Sequence, residues 1–227
     1  MGGDEVKLLG AWPSPYVLRA RIALNIKSVD YEFLEEKFGS KSDLLLKSNP
    51  VHKKIPVLIH GDRPICESLI IVEYIDQVWP SGPSLLPSDP YDRAIARFWA
   101  AYADQWFSSA IVVLYEDDGE KAAAAVEEAK KGLSLFDEAL VKCSKGQNFF
   151  GGDRMGYLDI ALGSLLSWIK VIQILRNVSL IDESTTPNLF RWAPRFAADH
   201  AVKDVFPDIH KHLEFAKFLV ARTKAQP

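Results

Sequence analysis

The run Pro80-Ser81-Gly82-Pro83-Ser84-Leu85-Leu86-Pro87-Ser88-Asp89-Pro90 constrains this chain more than any other stretch of it. Its four prolines and one glycine are incompatible with a helix or an interior strand. Proline lacks the N–H that both structures use, and its ring clashes with a preceding helical turn. The run therefore reads as a linker, residues 81–90, between an N-terminal domain at 1–80 and a C-terminal domain at 91–227, with a long surface loop within one domain as the other reading. A chain of 227 residues is long enough for two modest domains with real cores.

The two sides of the linker carry different periodicities. Before it, Val6–Leu9 and Tyr31–Glu35 read as strands, and Pro56–Ile59 with Pro64–Cys66 as a hairpin around Gly61-Asp62. Helices are expected over Pro15–Lys27, Ser42–Ser48 and Ser68–Val78; in the first, Leu18, Ile22 and Ile26 recur every fourth residue with Arg19, Arg21 and Lys27 interleaved. The order β-α-β-α-β-β-α describes a small mixed sheet covered by helices. After the linker the pattern is helical throughout: 91–115, 120–143, 157–174, 189–197 and 209–222. The charges at Glu127, Glu128, Lys130 and Lys131 read as a solvated helix face.

Composition excludes several classes of function. A net charge of −3 provides no basic surface for nucleic acid or an anionic membrane. Two distant cysteines, Cys66 and Cys143, argue against a disulfide framework and fit a reducing compartment. The polar start, Met1–Lys7, lacks a signal peptide's apolar core, and the most apolar run, Leu158–Leu175, is interrupted by Asp159, Lys170 and Gln173. A soluble cytoplasmic protein with no membrane partner is the expectation. No metal is expected either, since His210 and His212 lie two apart, on different helix faces, without a supporting cluster.

Three segments of the first half point to one ligand. Ser14-Pro15 is a helix-start signature, with serine as cap and proline at the first helical position. It also puts a hydroxyl at the positive end of a helix dipole, where an anion is favoured. In Lys53-Lys54-Ile55-Pro56 a proline opens a strand, leaving the Ile55 backbone to pair with an extended peptide, with Lys41 and Lys54 as cations for a carboxylate. Glu67-Ser68 offers an anion for an ammonium group and a second capped helix start for a second carboxylate. The ligand so defined has two carboxylates, one ammonium, a peptide-like centre and an anionic atom near Ser14. Each segment also has a purely structural reading, as cap, edge strand or solvated lysine.

These residues resemble the glutathione site of cytosolic glutathione transferases. Trp12-Pro13-Ser14-Pro15, Phe150-Gly151-Gly152-Asp153 and Gly156-Tyr157-Leu158-Asp159-Ile160 are most similar to the plant tau class. The resemblance spans essentially the whole chain. It implies an α/β thioredoxin-like N-terminal domain, an all-α C-terminal domain, a homodimer, a cis bond at Pro56, and no cofactor beyond glutathione as co-substrate. It also implies that Ser14 stabilises the glutathione thiolate, that Lys41 and Lys54 lie by the glycyl end, that Ile55 pairs with the cysteinyl backbone, and that Glu67 and Ser68 hold the γ-glutamyl head. One departure is Gly156, where the family often has Ser or Thr as the helix cap three residues before the Asp.

The implied reaction conjugates glutathione to hydrophobic electrophiles, as in detoxification, with peroxidase activity on organic hydroperoxides as a companion. Candidates for the apolar substrate site are Trp12, Tyr16, Phe38, Trp106, Ala110, Leu114, Trp168 and Phe215; Trp106, Ala110 and Leu114 share a four-residue spacing. Tyr16 is the rival hydroxyl to Ser14. A thiol-disulfide reductase on this fold needs cysteine where Ser14 stands. A non-catalytic carrier of hydrophobic ligands is the alternative outside enzymology.

Overall fold

The computed structural model describes residues 5–116 and 119–225. The chain forms two compact units. One extends to Leu86 and takes in His200–Val205; the other comprises Pro87–Asp199 and the chain from Phe206 onward.

The first unit is a thioredoxin-like layer. Its strands β1 (Val6–Gly10), β2 (Glu32–Glu35), β3 (Val57–His60) and β4 (Arg63–Cys66) form one sheet in the order β2-β1-β3-β4. β1 runs parallel to β2, while β3 is antiparallel to both β1 and β4. Leu9 faces Val57 across the β1–β3 pair. Strand alternation puts Leu9, Val57 and Ile59 on one face, where Leu45 of helix α2 (Asp43–Ser48) packs with Leu34, Ile55 and Cys66. The register has a consequence for function. Gly10, Glu35 and Cys66 end their strands, and Val57 begins its own, all at the same end of the sheet. The segments that follow or precede them, 11–14, 36–42, 53–56 and 67–68, therefore gather there.

Helix α1 (Pro15–Ile26) packs against α3 (Ser68–Val78). Two of the three cations interleaved along α1 are buried. Arg19 is inaccessible, and its guanidinium donates to Ser68 Oγ at 3.2 Å and lies 5.1 Å from the Tyr16 ring centre. Lys27, just past the end of α1, forms an ion pair of 2.7 Å with Asp76 and donates to the Pro83 carbonyl at 2.8 Å. Asp76 also accepts from the backbone N–H groups of Leu85 and Leu86. The segment read as the start of a linker is thus clasped to α1 and α3 through Leu86. Asn25 Nδ2 donates to the Ala201 carbonyl at 2.8 Å, joining the 200–205 segment to this unit.

The second unit is helical: α4 (Pro90–Ala110), a 3-10 turn at Ile111–Leu114, α5 (Glu120–Ser144), α6 (Tyr157–Gly163), α7 (Leu166–Arg176), α8 (Pro187–Ala198) and α9 (Ile209–Lys224). Asp89 caps α4 by accepting from the Tyr91 and Asp92 N–H groups. The expected single helix over 157–174 is broken at Ser164-Leu165. Phe196 of α8 packs against Gly163 so closely that a Cβ there would lie 2.3 Å from its ring. The run Tyr157–Arg176 is long and apolar enough to cross a membrane by length and composition alone, with an 18-residue window at a mean hydropathy of 1.6; 78% of that window is buried within the protein, as expected of core helices.

Two buried carboxylates organise this unit. Asp159 accepts from the backbone N–H groups of Phe150, Gly151 and Gly156 and from the Trp192 indole, at 2.8–3.0 Å. Burial pushes its pKa up to about 6, against the pull of these four donors. Its bond to the Gly156 N–H supplies half of a capping box, so the missing cap hydroxyl leaves α6 anchored from its third residue. Asp137 of α5 accepts from Asn188 N, Asn188 Nδ2 and Leu189 N and thereby caps α8 across the unit.

Candidate active site

Ser14 precedes α1 with extended backbone angles, and its Oγ accepts the Val17 N–H at 3.3 Å. The residue is half-buried, and the Ser14 N–H is itself bonded to the Ala11 carbonyl. Its oxygen is held by a donated N–H at the positive end of the helix, which polarises the hydroxyl and leaves its proton to donate. Capping and donation to an anion are therefore compatible roles for one side chain. Tyr16, the rival hydroxyl, is half-buried with the Arg19 guanidinium beside its ring.

The Ile55–Pro56 peptide bond is cis. The loop before it is held from within by Asn49, which is buried. Its Nδ2 donates to the Lys54 carbonyl at 2.9 Å, its Oδ1 accepts from His52 N, and its carbonyl accepts from Lys53 N at 2.8 Å. These bonds hold Lys53 at φ +55°, a left-handed conformation that a lysine rarely adopts. Glu67 is likewise left-handed at φ +71°, between the end of β4 and the start of α3. Two strained non-glycine residues thus flank one sheet end, a pattern characteristic of functional sites.

Lysines concentrate around one cavity at this end. A cavity of about 350 Å³ is lined by Ala11, Phe38, Lys41, Lys54 and Ile55, together with the rest of the 36–41 loop, Leu45 and Lys53. Ser14, Glu67 and Ser68 do not line it, although the strand register brings them to the same sheet end. Glu67 has His52 Nε2 3.9 Å from its carboxylate. Ser68 is buried, and the guanidinium donation from Arg19 leaves its hydroxyl proton to point elsewhere. Burial, with Glu67 nearby, pushes the Cys66 thiol up, and its Sγ lies 3.6 Å from the Ser48 carbonyl. That thiol is protonated at neutral pH and is a poor nucleophile.

Of the apolar candidates, Trp12, Tyr16 and Phe38 belong to the first unit, and Phe38 is 58% exposed. The other five belong to the second. Trp106 is a core wedge: its indole donates to the Ala129 carbonyl at 3.1 Å, and a Cβ on Gly132 would lie 2.1 Å from its ring. With Ala110 it also lines a cavity of about 420 Å³ beside Tyr102, Gln105 and Glu128. Leu114 is buried. Trp168 meets Phe215 edge to face at 6.4 Å and packs more closely on His212, at 4.4 Å. Among the described residues, no group of three or more His, Cys, Asp or Glu side chains converges as a metal set. Sequence reasoning missed Asn49 and Arg19. The Asn49-Pro50 dipeptide was a turn signal; Arg19 carried no signal at all.

Comparison with known proteins agrees with this architecture. Residues 4–77 match the glutathione S-transferase N-terminal domain, and residues 90–178 match the C-terminal domain. Glutathione S-transferase U18 of Arabidopsis thaliana is 56% identical over 99% of this chain and 100% of its own length. A crystal structure of the tau class glutathione S-transferase of mango, Mangifera indica, is 63% identical with a TM-score of 0.92, covering 95% of this chain and 98% of the other. The chain belongs to the glutathione S-transferase family, in its tau class. A third tau-type relative, rice GST1, solved in complex with glutathione, is 37% identical with a TM-score of 0.88 over 98% of this transferase and 99% of the rice chain. The fold of the transferase is therefore a thioredoxin-like mixed sheet with helices, followed by a helical domain.

Proposed function

We propose that this glutathione S-transferase ionises the thiol of glutathione through the Ser14 hydroxyl and transfers the sulfur to apolar electrophiles. A free thiol has a pKa of about 8.5, so a few per cent is thiolate at neutral pH. Lowering that value by two units takes roughly 2.7 kcal/mol, within reach of one charge-assisted hydrogen bond plus a helix terminus. Serine keeps its proton throughout. The sulfur lone pair forms the S–C bond, the leaving group departs with its electron pair, and the thiol proton goes to solvent.

The observation that carries this reading is the Ser14 cap itself: an oxygen already occupied as an acceptor, at a helix start, with its proton available as a donor. In the rest of the reading, Lys41 and Lys54 take the glycyl carboxylate, Ile55 pairs with the cysteinyl backbone, and Glu67 and Ser68 take the γ-glutamyl ammonium and carboxylate. Residues 1–80 carry this glutathione site, 81–90 link, and 91–227 contribute to the apolar site. The enzyme works as a cytosolic homodimer in detoxification.

The test is turnover of an activated aryl halide with glutathione by the purified chain, alongside Ser14→Ala. Conjugate formation that depends on Ser14 is expected. Glutathione binding without conjugate formation by the native chain would refute the catalytic reading.

A further inference from the structure

We propose that the glycyl end of this site takes a second negative charge, so that the co-substrate class extends from glutathione to γ-glutamylcysteinyl peptides with an acidic third residue. The inference rests on the glutathione reading above and concerns Lys37 and Lys53, which that reading leaves without a role.

Four lysines, Lys37, Lys41, Lys53 and Lys54, line the 350 Å³ cavity. None of their ammonium groups has a carboxylate partner among the described residues. Seven of the other lysines, Lys7, Lys27, Lys130, Lys131, Lys142, Lys145 and Lys217, are paired; what sets the four apart is that they line one cavity. The single acid in the lining, Glu36, is committed elsewhere, accepting from Ser42 N at 3.1 Å and Ser42 Oγ at 2.5 Å. A chain whose net charge is −3 has thus gathered four unpaired cations around one cavity. One glycyl carboxylate accounts for two of them.

The position of Lys53 is imposed. Its left-handed backbone is maintained by the buried Asn49, which bonds to Lys53 N and to the Lys54 carbonyl on either side. A glycine meets that conformation without strain, yet a lysine stands there. Ala11, Leu45 and Ile55 form an apolar part of the same lining, which displaces water and strengthens attraction to an anion in the cavity. A side chain on the third residue of the tripeptide branches from the carbon that bears the glycyl carboxylate, so an acid there adds its charge at the same end of the ligand, where the cavity lining holds the remaining two lysines.

The matched pair γ-glutamylcysteinylglutamate and γ-glutamylcysteinylglutamine isolates this charge, because the two peptides have the same size and differ only in the side-chain carboxylate. Binding of their S-methyl derivatives to the full chain is measured by calorimetry, which does not depend on turnover. At low salt the acid should bind about fivefold more tightly than the amide, as expected for two exposed ion pairs. At 0.5 M salt the preference should fall to about one, as the screening length shortens. Lys37→Gln/Lys53→Gln should abolish the low-salt preference. Equal binding of acid and amide by the native chain overturns the proposal, and so does a preference that survives in the double variant. The salt dependence of the native chain decides the matter even if that variant does not fold. Aryl halide turnover with glutathione, followed in parallel, reports on the Ser14 reading alone.

Discussion

Replacing Ser14 separates its cap from its proposed catalytic role, because the cap uses the oxygen as an acceptor and the proposed mechanism uses the proton as a donor. Ser14→Ala removes both. The lost bond to Val17 N, 3.3 Å long, is a helix cap whose removal costs about 1 kcal/mol of stability. The lost donation to a thiolate is charge-assisted, worth about 1.5–3 kcal/mol, so the thiol pKa of bound glutathione should rise by roughly one to two units. Below that pKa the thiolate fraction, and with it kcat/KM, should fall about 10- to 100-fold. Ser14→Asp distinguishes the roles. A carboxylate caps a helix as well as serine does, so the melting temperature should stay near that of the native chain. It cannot donate, however, and it repels a thiolate, so activity should fall at least as far as in Ser14→Ala. The assay is titration of thiolate absorbance in the glutathione complex, with thermal unfolding of the same samples. An unchanged thiol pKa in both variants would refute the argument; so would an Ser14→Asp protein that keeps its activity.

Asp159→Ala should destabilise the second unit by about 3–5 kcal/mol, because four N–H donors, three of them buried, lose their acceptor; thermal unfolding measures this, and a loss under 1 kcal/mol would contradict the network. Asn49→Ala should raise the KM for glutathione several-fold with kcat nearly unchanged, since it frees the Lys54 carbonyl and the loop that carries Lys53 and Lys54; an unaltered KM in steady-state kinetics would separate Asn49 from the site. Burial pushes the His212 pKa down to about 4 from 6.5, so the stability its neutral ring contributes is fully present above pH 6.5 and is lost as pH falls toward 4, by about 3 kcal/mol. His212→Phe should flatten the urea midpoint over that interval, and an acid slope equal to that of the native chain would show that other groups set it.

The local signals in this sequence were strong where chemistry is local. Ser14-Pro15, Ser42 and Asp89 mark helix starts through their own caps; Ser68 opens α3 at the expected residue but does not cap it, since Glu67 holds the cap position without a side-chain bond and the Ser68 hydroxyl accepts from Arg19 instead. Prolines at 80–90 mark the break between the two patterns of periodicity for a backbone reason that needs no tertiary contact. The motifs around Ser14, Ile55-Pro56 and Glu67-Ser68 carried the family resemblance, and comparison with known transferases bears out the family and the fold.

What stayed hidden depends on partners far away in the chain. Nothing in its immediate neighbours marks Arg19 as buried against Ser68, 49 residues on, or Lys27 as paired with Asp76 rather than solvated. Spacing put Trp106 on a helix face but did not reveal that Gly132 opens a slot for its ring. The break at Ser164-Leu165 has no proline to announce it. Sequence determined the elements, their caps and the kind of chemistry present, because propensity, capping and dihedral restriction act over a few neighbouring residues. Tertiary structure decided which charges are buried, which loops are strained, and that Lys37, Lys41, Lys53 and Lys54 share one cavity, because desolvation and long-range pairing exist only once the sheet has brought distant segments together.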